Sequence, residues 1–287
     1  MTSPVRAFSP GHISGYFRRV EGKDPASTGS IGGGVVISEG VVASAEKADS
    51  TEVQVQRIDA NGRLLTKSSG SPPVEYALER LGISAKITTT CRLPIGAGFG
   101  MSAAAILSSV TAANELLGVG LSLDEIAACA HESEVVHRTG LGDVAACQGG
   151  GFVVRKNPGI HAEINRYYPE NCRIYAISFG PISTPEVLGS TEAMARVTNA
   201  FPERHPKSVT EILEFSRKFS EESGLITPEI RSVLGTCDRQ EISASMTMLG
   251  NGVFAVGENA RTVLSRFGEI YELSVAHNGM HLLENNL

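Results

Sequence analysis

One stretch, Leu93-Pro94-Ile95-Gly96-Ala97-Gly98-Phe99-Gly100-Met101-Ser102-Ala103-Ala104, limits what this chain can become. The run before it, Ile83 to Thr90, is rich in Ile and Thr and predicts a strand. The run after it, Ser102 to Leu117, carries apolar residues at helical spacing and predicts a helix closed by Gly118. Three glycines at alternate positions make the turn between them. Glycine tolerates left-handed dihedrals, so such a loop can aim several backbone N–H groups at one point. The helix behind it adds unpaired N–H groups and the positive end of its dipole. An anion, phosphate above all, suits that place. A plain strand-to-helix turn needs glycines too. It does not need Ser102, Ala103, Ala104 and Ala105, which leave the first helical turn bare enough for a bulky ligand.

The common phosphate loops do not match. No Lys follows the glycines, as a Walker A loop requires, and the third glycine comes one position early for a dinucleotide fingerprint. The V-A-I-K and H-R-D partners of a protein-kinase glycine loop are absent from the sequence.

The 287 residues suffice for one large or two modest domains. A formal charge of −6 without a basic block argues against a nucleic-acid partner. No apolar run approaches a membrane span, and the first residues lack the apolar core of a signal peptide. The five cysteines are scattered, odd in number and form no C-x-x-C pair, so neither disulfides nor a zinc site is expected. Reduced thiols and a cytoplasmic setting follow as expectations.

Along the chain, Pro10-Gly11-His12-Ile13-Ser14-Gly15 reads as loop chemistry in an apolar frame, and Gly29 to Gly34 as a second glycine cluster before a strand. Val41–Ala45 and Thr51–Ile58 continue a β pattern, and Asn61-Gly62 signals a hairpin. Ser122-Leu123-Asp124-Glu125 is a capping box that opens a helix. Along that helix His131, Glu134 and His137 share a face, either a site wall or a solvated stripe. In Thr139-Gly140-Leu141-Gly142-Asp143 two glycines flank a lone carboxylate, either a helix cap or a catalytic acid in a tight loop. Asn157-Pro158-Gly159 suggests a boundary, dividing the chain into 1–158 and 159–287. Helices and strands alternate beyond it, which predicts an α+β sandwich of ferredoxin-like type.

Pro94 to Ala104 resembles the P-x-x-x-G-[LF]-G-x-S-[AS]-A motif of the GHMP small-molecule kinases. Pro10 to Gly15 resembles that family's opening Pro-Gly element, Thr139 to Asp143 its catalytic-aspartate segment, and Leu249-Gly250-Asn251-Gly252-Val253-Phe254 its C-terminal glycine motif. Within the family these segments look most like the archaeal pantoate kinases of coenzyme A synthesis. The resemblance implies the GHMP kinase fold: an N-terminal domain like ribosomal protein S5 domain 2, then a ferredoxin-like α/β sandwich. It implies ATP as phosphate donor, Mg²⁺ as cofactor and a small hydroxyl acceptor, here pantoate. ATP phosphates would be bound by Pro94, Gly96, Ala97, Gly98, Phe99, Gly100, Met101, Ser102, Ala103 and Ala104. Ser102 and Glu134 would ligate the metal, with Glu132 a rival to Glu134, and Asp143 would take the acceptor proton. His12, Ser14, Ser30, His131 and Arg155 are the candidates for holding the acceptor. A kinase for another small alcohol and a non-catalytic sensor share the phosphate-handling residues, and a homodimer is compatible with all of these readings.

Overall fold

The computed structural model describes residues 3–182 and 184–284. Its spine is an antiparallel ribbon of two long strands, β1 (Val5–Val20) and β2 (Gly29–Lys47). Register slips at Pro10/Gly11 and Ser14/Tyr16 bend it. The two segments that read as loops in sequence, Pro10 to Gly15 and Gly29 to Gly34, are therefore strand. Glycine serves close approach here, not turning. A Cβ on Gly34 would overlap the Ile13 carbonyl, and one on Gly33 would lie 2.6 Å from the Tyr16 hydroxyl.

β3 (Glu52–Ile58) and β4 (Leu64–Ser69) form the hairpin that Asn61-Gly62 signals, with Gly62 at φ 79°. Helix α1 (Pro72–Arg80) crosses over to β5 (Ala85–Cys91), which pairs parallel to β3 and antiparallel to the far half of β2. Three helices follow: α2 (Met101–Leu117), α3 (Leu123–His137) and the short α4 (Asp143–Cys147). The capping box at the start of α3 is complete, Ser122 N–H donating to Glu125 Oε2 at 2.8 Å and Glu125 N–H to Ser122 Oγ at 3.3 Å. Ala103, Ile106, Leu107 and Val110 of α2 pack in one core with Ala7, Ala43, Ala45 and Ile87 of the sheet. The β6 (Phe152–Arg155) and β7 (Ile164–Tyr167) hairpin adds to the near half of β2.

The next elements are β8 (Arg173–Pro181), α5 (Thr184–Gly189), α6 (Thr191–Asn199), α7 (Val209–Glu222), α8 (Pro228–Arg239), β9 (Ala244–Met246), β10 (Gly250–Val256), α9 (Asn259–Leu264) and β11 (Tyr271–Ser274). Their antiparallel sheet runs β11-β8-β10-β9, the ferredoxin-like order expected. A last strand, β12 (His281–Leu283), returns to pair with β1. Among the described residues the first sheet thus has eight strands, and two of them, β7 and β12, come from beyond residue 158. The division expected after 158 falls inside the β6–β7 hairpin. No helix among the described residues is long and apolar enough to cross a membrane, and all five cysteines are free thiols.

One core cluster runs from β1 and β2 into the second sheet and its helices. Aromatic rings mark the seam: Phe17 meets Phe219 at 5.9 Å between centroids, and Tyr16 meets Phe201 and Phe215. Phe219 is 1% exposed. Phe219→Ala should therefore cost about 3–5 kcal/mol in denaturant unfolding. Because the core is shared, the transition should shift as one step. A split into two transitions would mean that the halves fold independently.

Candidate active site

The glycine loop has the geometry its spacing predicts. Gly96, Gly98 and Gly100 stand at φ 75°, 82° and 68°, and Gly100 is the N-cap of α2. Left-handed residues at alternate positions turn the intervening N–H groups to one side. Supports hold the carbonyls on the other side. Ile182 N–H donates to the Gly96 carbonyl at 3.2 Å, and His12 N–H to the Phe99 carbonyl at 3.0 Å. The Thr247 hydroxyl donates to the Ala97 carbonyl at 3.1 Å. A Cβ on Gly250 would overlap the Ala97 carbonyl, so the C-terminal glycine motif rests backbone to backbone under the loop. No acidic side chain stands in the first turn of α2 to compete with an anion.

A single cavity takes in this loop and the aspartate segment. Its lining includes His12, Ser14, Ser30, Gly96, Gly98 to Ser102, Glu134 and Thr139 to Asp143, with Phe17, Ile95, Ile182 and Met248 as apolar walls. Ser102 and Asp143 thus face a common space. After α3 the chain turns at Arg138, which has φ 54°, and Asp143 opens α4. Gly140 lies between two carboxylates: a Cβ there would overlap Glu134 Oε2 and sit 2.9 Å from Asp143 Oδ2. Any larger residue would push them apart.

The two acids differ in character. Asp143 Oδ1 receives a hydrogen bond from His12 Nδ1 at 2.6 Å. Burial pushes its pKa up, but the His12 hydrogen bond, the His12 charge and the nearby Arg155 outweigh this and hold it below the usual carboxylate range. Burial also lowers the pKa of His12, against the pull of Asp143, and its Nδ1–H donates to the carboxylate. Glu134 is raised, by burial first and by the Asp143 charge second, while the hydroxyls of Ser102 and Thr139 pull it down. Its Oε1 accepts from Thr139 at 3.2 Å, and its buried Oε2 has no partner.

The other candidates separate clearly. Glu132 bonds outward to the Tyr76 hydroxyl and Arg80, so of the two rivals Glu134 lies in the cleft. His131 does not line the cavity. It is buried with Nε2 on the Thr28 carbonyl at 2.8 Å, where it ties α3 to the start of β2. His131 and Glu134 lie one turn apart on the helix, but His131 is engaged by the Thr28 carbonyl and only Glu134 lines the cavity. Arg155 is 1% exposed and sits behind Gly142, with Nη2 3.4 Å from Ser30 Oγ. A Cβ on Gly142 would lie 2.7 Å from its Nε. Nε and Nη1 of Arg155 have no partner, and no carboxylate of the described residues is in ion-pair reach. Thr139, Ile182, Thr247 and Met248 were not singled out from sequence. Only Thr139 lay in a segment already marked; nothing local distinguishes the others.

The sequence profile of the GHMP kinases N terminal domain matches residues 72–151. The pantoate kinase of Methanospirillum hungatei is 48% identical over 97% of this chain and 96% of its own. That of Thermococcus kodakarensis is 30% identical over 94% of this chain and 95% of its own. Among solved structures, a phosphotransferase related to the CoA biosynthesis pathway superposes with a TM-score of 0.77 at 25% identity, covering 97% of this chain and 98% of that one. The homoserine kinase of Cytophaga hutchinsonii shares the fold, with a TM-score of 0.66 at 19% identity over 99% and 98% of the two chains. The chain belongs to the GHMP kinases, in the branch formed by the pantoate kinases.

Proposed function

We propose that the protein transfers the γ-phosphoryl group of ATP to the primary hydroxyl of pantoate, giving 4-phosphopantoate and ADP. One observation carries the chemistry: a bare glycine cradle and a carboxylate held in its ionised form open on the same cleft. Phosphoryl transfer asks a protein mainly for positioning and charge stabilisation. The N–H groups from Gly96 to Ser102 and the start of α2 bind the phosphate tail. Asp143, with Oδ1 engaged by His12, keeps Oδ2 for the acceptor hydroxyl. It holds that hydroxyl in line and accepts its proton as the bond to phosphorus forms.

The residues fit a magnesium ion. Glu134 has an unpartnered buried oxygen beside the Ser102 hydroxyl, and hard cations take oxygen ligands while keeping several waters. Ser102 and Glu134 would hold it, with phosphate oxygens as further ligands. Bound there, it supplies neutralisation of the phosphate charge. The described residues hold no cluster of three or more His, Cys, Asp or Glu arranged for a metal, and a site shared with phosphates needs none.

The acceptor's carboxylate suits the Ser30 wall of the cleft. Ser30 lines the cavity, and Arg155, which does not line it, stands behind Ser30 with Nε and Nη1 unpaired. A buried guanidinium without an anion is unfavourable, so a carboxylate bound at Ser30 gains from the charge that stands behind that wall. Ser14 and His12 line the same cavity.

Asp143→Asn should lower kcat by about 10²–10⁴-fold, the usual contribution of a positioned acid or base, with ATP affinity unchanged in equilibrium binding. Full activity in that variant would remove the aspartate from the mechanism. Arg155→Ala should raise the KM for pantoate by about tenfold or more, since a charged hydrogen bond contributes about 1.5–3 kcal/mol, and leave the KM for ATP alone. An equal rise in both would point to general damage. Coupled ADP release over a panel of small alcohols and hydroxy acids tests the substrate itself. Turnover with pantoate is expected, and turnover with mevalonate but not pantoate would overturn the assignment.

A further inference from the structure

We infer that Arg166 is a positioning residue for phosphoryl transfer, holding Asp143 in place through the far end of the helix that carries it. The inference rests on the role proposed for Asp143. Helix α4 has five residues, Asp143 to Cys147, and Asp143 is its first. A helix of little more than one turn does not hold itself, because nucleation is unfavourable and few bonds follow to offset it. Its N-cap, Gly142, offers no side-chain cap.

The restraint comes from outside. Arg166, on β7, donates Nη1 to the carbonyls of Ala146 at 3.0 Å and Gly150 at 2.8 Å, and Nη2 to the carbonyl of Ala145 at 3.3 Å. These bonds reach two carbonyls of α4 and one of the loop that leaves it. A cation at this end also complements the helix dipole. No carboxylate of the described residues lies within ion-pair reach of Arg166, so its fork serves backbone. The chain is shaped to admit it. A Cβ on Gly149 would lie 2.9 Å from Arg166 Cζ, and one on Gly150 would overlap the Ala276 carbonyl. Gly149 and Gly150 thus leave room for the guanidinium on one side and for the backbone of Ala276 on the other.

Arg166 does not line the cavity, so it meets neither substrate. β7 fixes it through pairing with β6, Val153 opposite Arg166. Asp143 is therefore located twice: directly by His12 on its carboxylate, and through its helix by Arg166. Loss of the second restraint leaves the carboxylate present and ionised but free to drift from the in-line position. A misplacement of about 1 Å is enough to cost about 10²-fold in rate.

The test is a double-mutant cycle on the full-length protein, with Arg166→Met and Arg166→Lys made alone and combined with Asp143→Asn. Arg166→Met should keep the circular-dichroism spectrum and the KM for ATP, and lower kcat by about 10- to 100-fold. Arg166→Lys, which keeps the charge and a donor, should recover part of that loss. In the Asp143→Asn background, Arg166→Met should lower kcat no further, because the group it positions is gone. An unchanged kcat in folded Arg166→Met, or the same fold-loss in both backgrounds, would overturn the inference. Should Arg166→Met fail to fold, Arg166→Lys carries the same two comparisons. A fully active Asp143→Asn would instead overturn the proposed role of the aspartate, so the two failures are distinguishable.

Discussion

The active cleft depends on a contact without side chains: the backbone at Gly250 lying directly against Ala97 and Gly98. A loop that turns its N–H groups toward a ligand must turn its carbonyls away, and those carbonyls need partners of their own. Gly96, Ala97 and Phe99 find them in Ile182, Thr247 and His12. Two of the three supports come from the second half of the chain and one from the β1–β2 ribbon. The glycine cradle is therefore not a property of its own strand and helix. It exists only when both sheets are assembled, which accounts for a core that runs without a break between them and for a final strand that returns to β1. A side chain at Gly250 or Gly98 would occupy the space through which this support acts.

The same economy of side chains governs the chemistry opposite. Gly140 brings two carboxylates onto one small space, where like charges would ordinarily disfavour each other. The protein resolves this by giving them different partners. Asp143 has His12 and the field of Arg155, and stays ionised; Glu134 has only neutral hydroxyls, and is raised. Two acids whose environments push them apart can take separate roles at one pH. The ionised one suits an acceptor hydroxyl. The raised one suits a ligand that brings its own positive charge to replace the missing proton.

The parts legible in sequence were those whose physics is local. Gly96, Gly98 and Gly100 announce their dihedrals because only glycine adopts them cheaply. Ser122 with Glu125, and Asn61-Gly62, announce a cap and a turn for equally local reasons. The sandwich type of the second half followed from the alternation of helices and strands. What misled was glycine used for proximity. Gly29 to Gly34 looks like a loop because glycine is scarce in strands, and the cause of its presence, the facing Tyr16, Ile13 and His12, lies across a ribbon. The Pro10 to Gly15 segment was hidden by the same fact seen from the other strand. His131 shared a helical face with Glu134, yet helical spacing says nothing of the Thr28 carbonyl that occupies it. Arg166 and Thr247 carry no local mark at all. Their partners are backbone carbonyls, which every residue has, so no pairing of types betrays them.

Arg155 shows how such a site discriminates. Its guanidinium is buried with two donors unmet, and the Tyr16 hydroxyl, whose proton is bound tightly because burial raises its pKa, also has no partner. Groups of this kind are unfavourable in the empty protein. Arg155 stands behind Ser30, on the wall of the cleft that the glycine loop also lines. In the proposed reading, an acceptor with a carboxylate at Ser30 answers the charge of Arg155 behind it, while a neutral alcohol of the same size leaves that charge without an anion. Rejection of this sort is stronger than anything an apolar wall achieves, because the wrong substrate then bears the full penalty of buried polar groups left unpaired. Gly142 joins the two parts. It lies against Ser30 and Arg155 on one side and precedes Asp143 on the other. In the proposed reading, recognition of the acceptor and placement of the carboxylate that receives its proton therefore pass through one residue that has no side chain to yield.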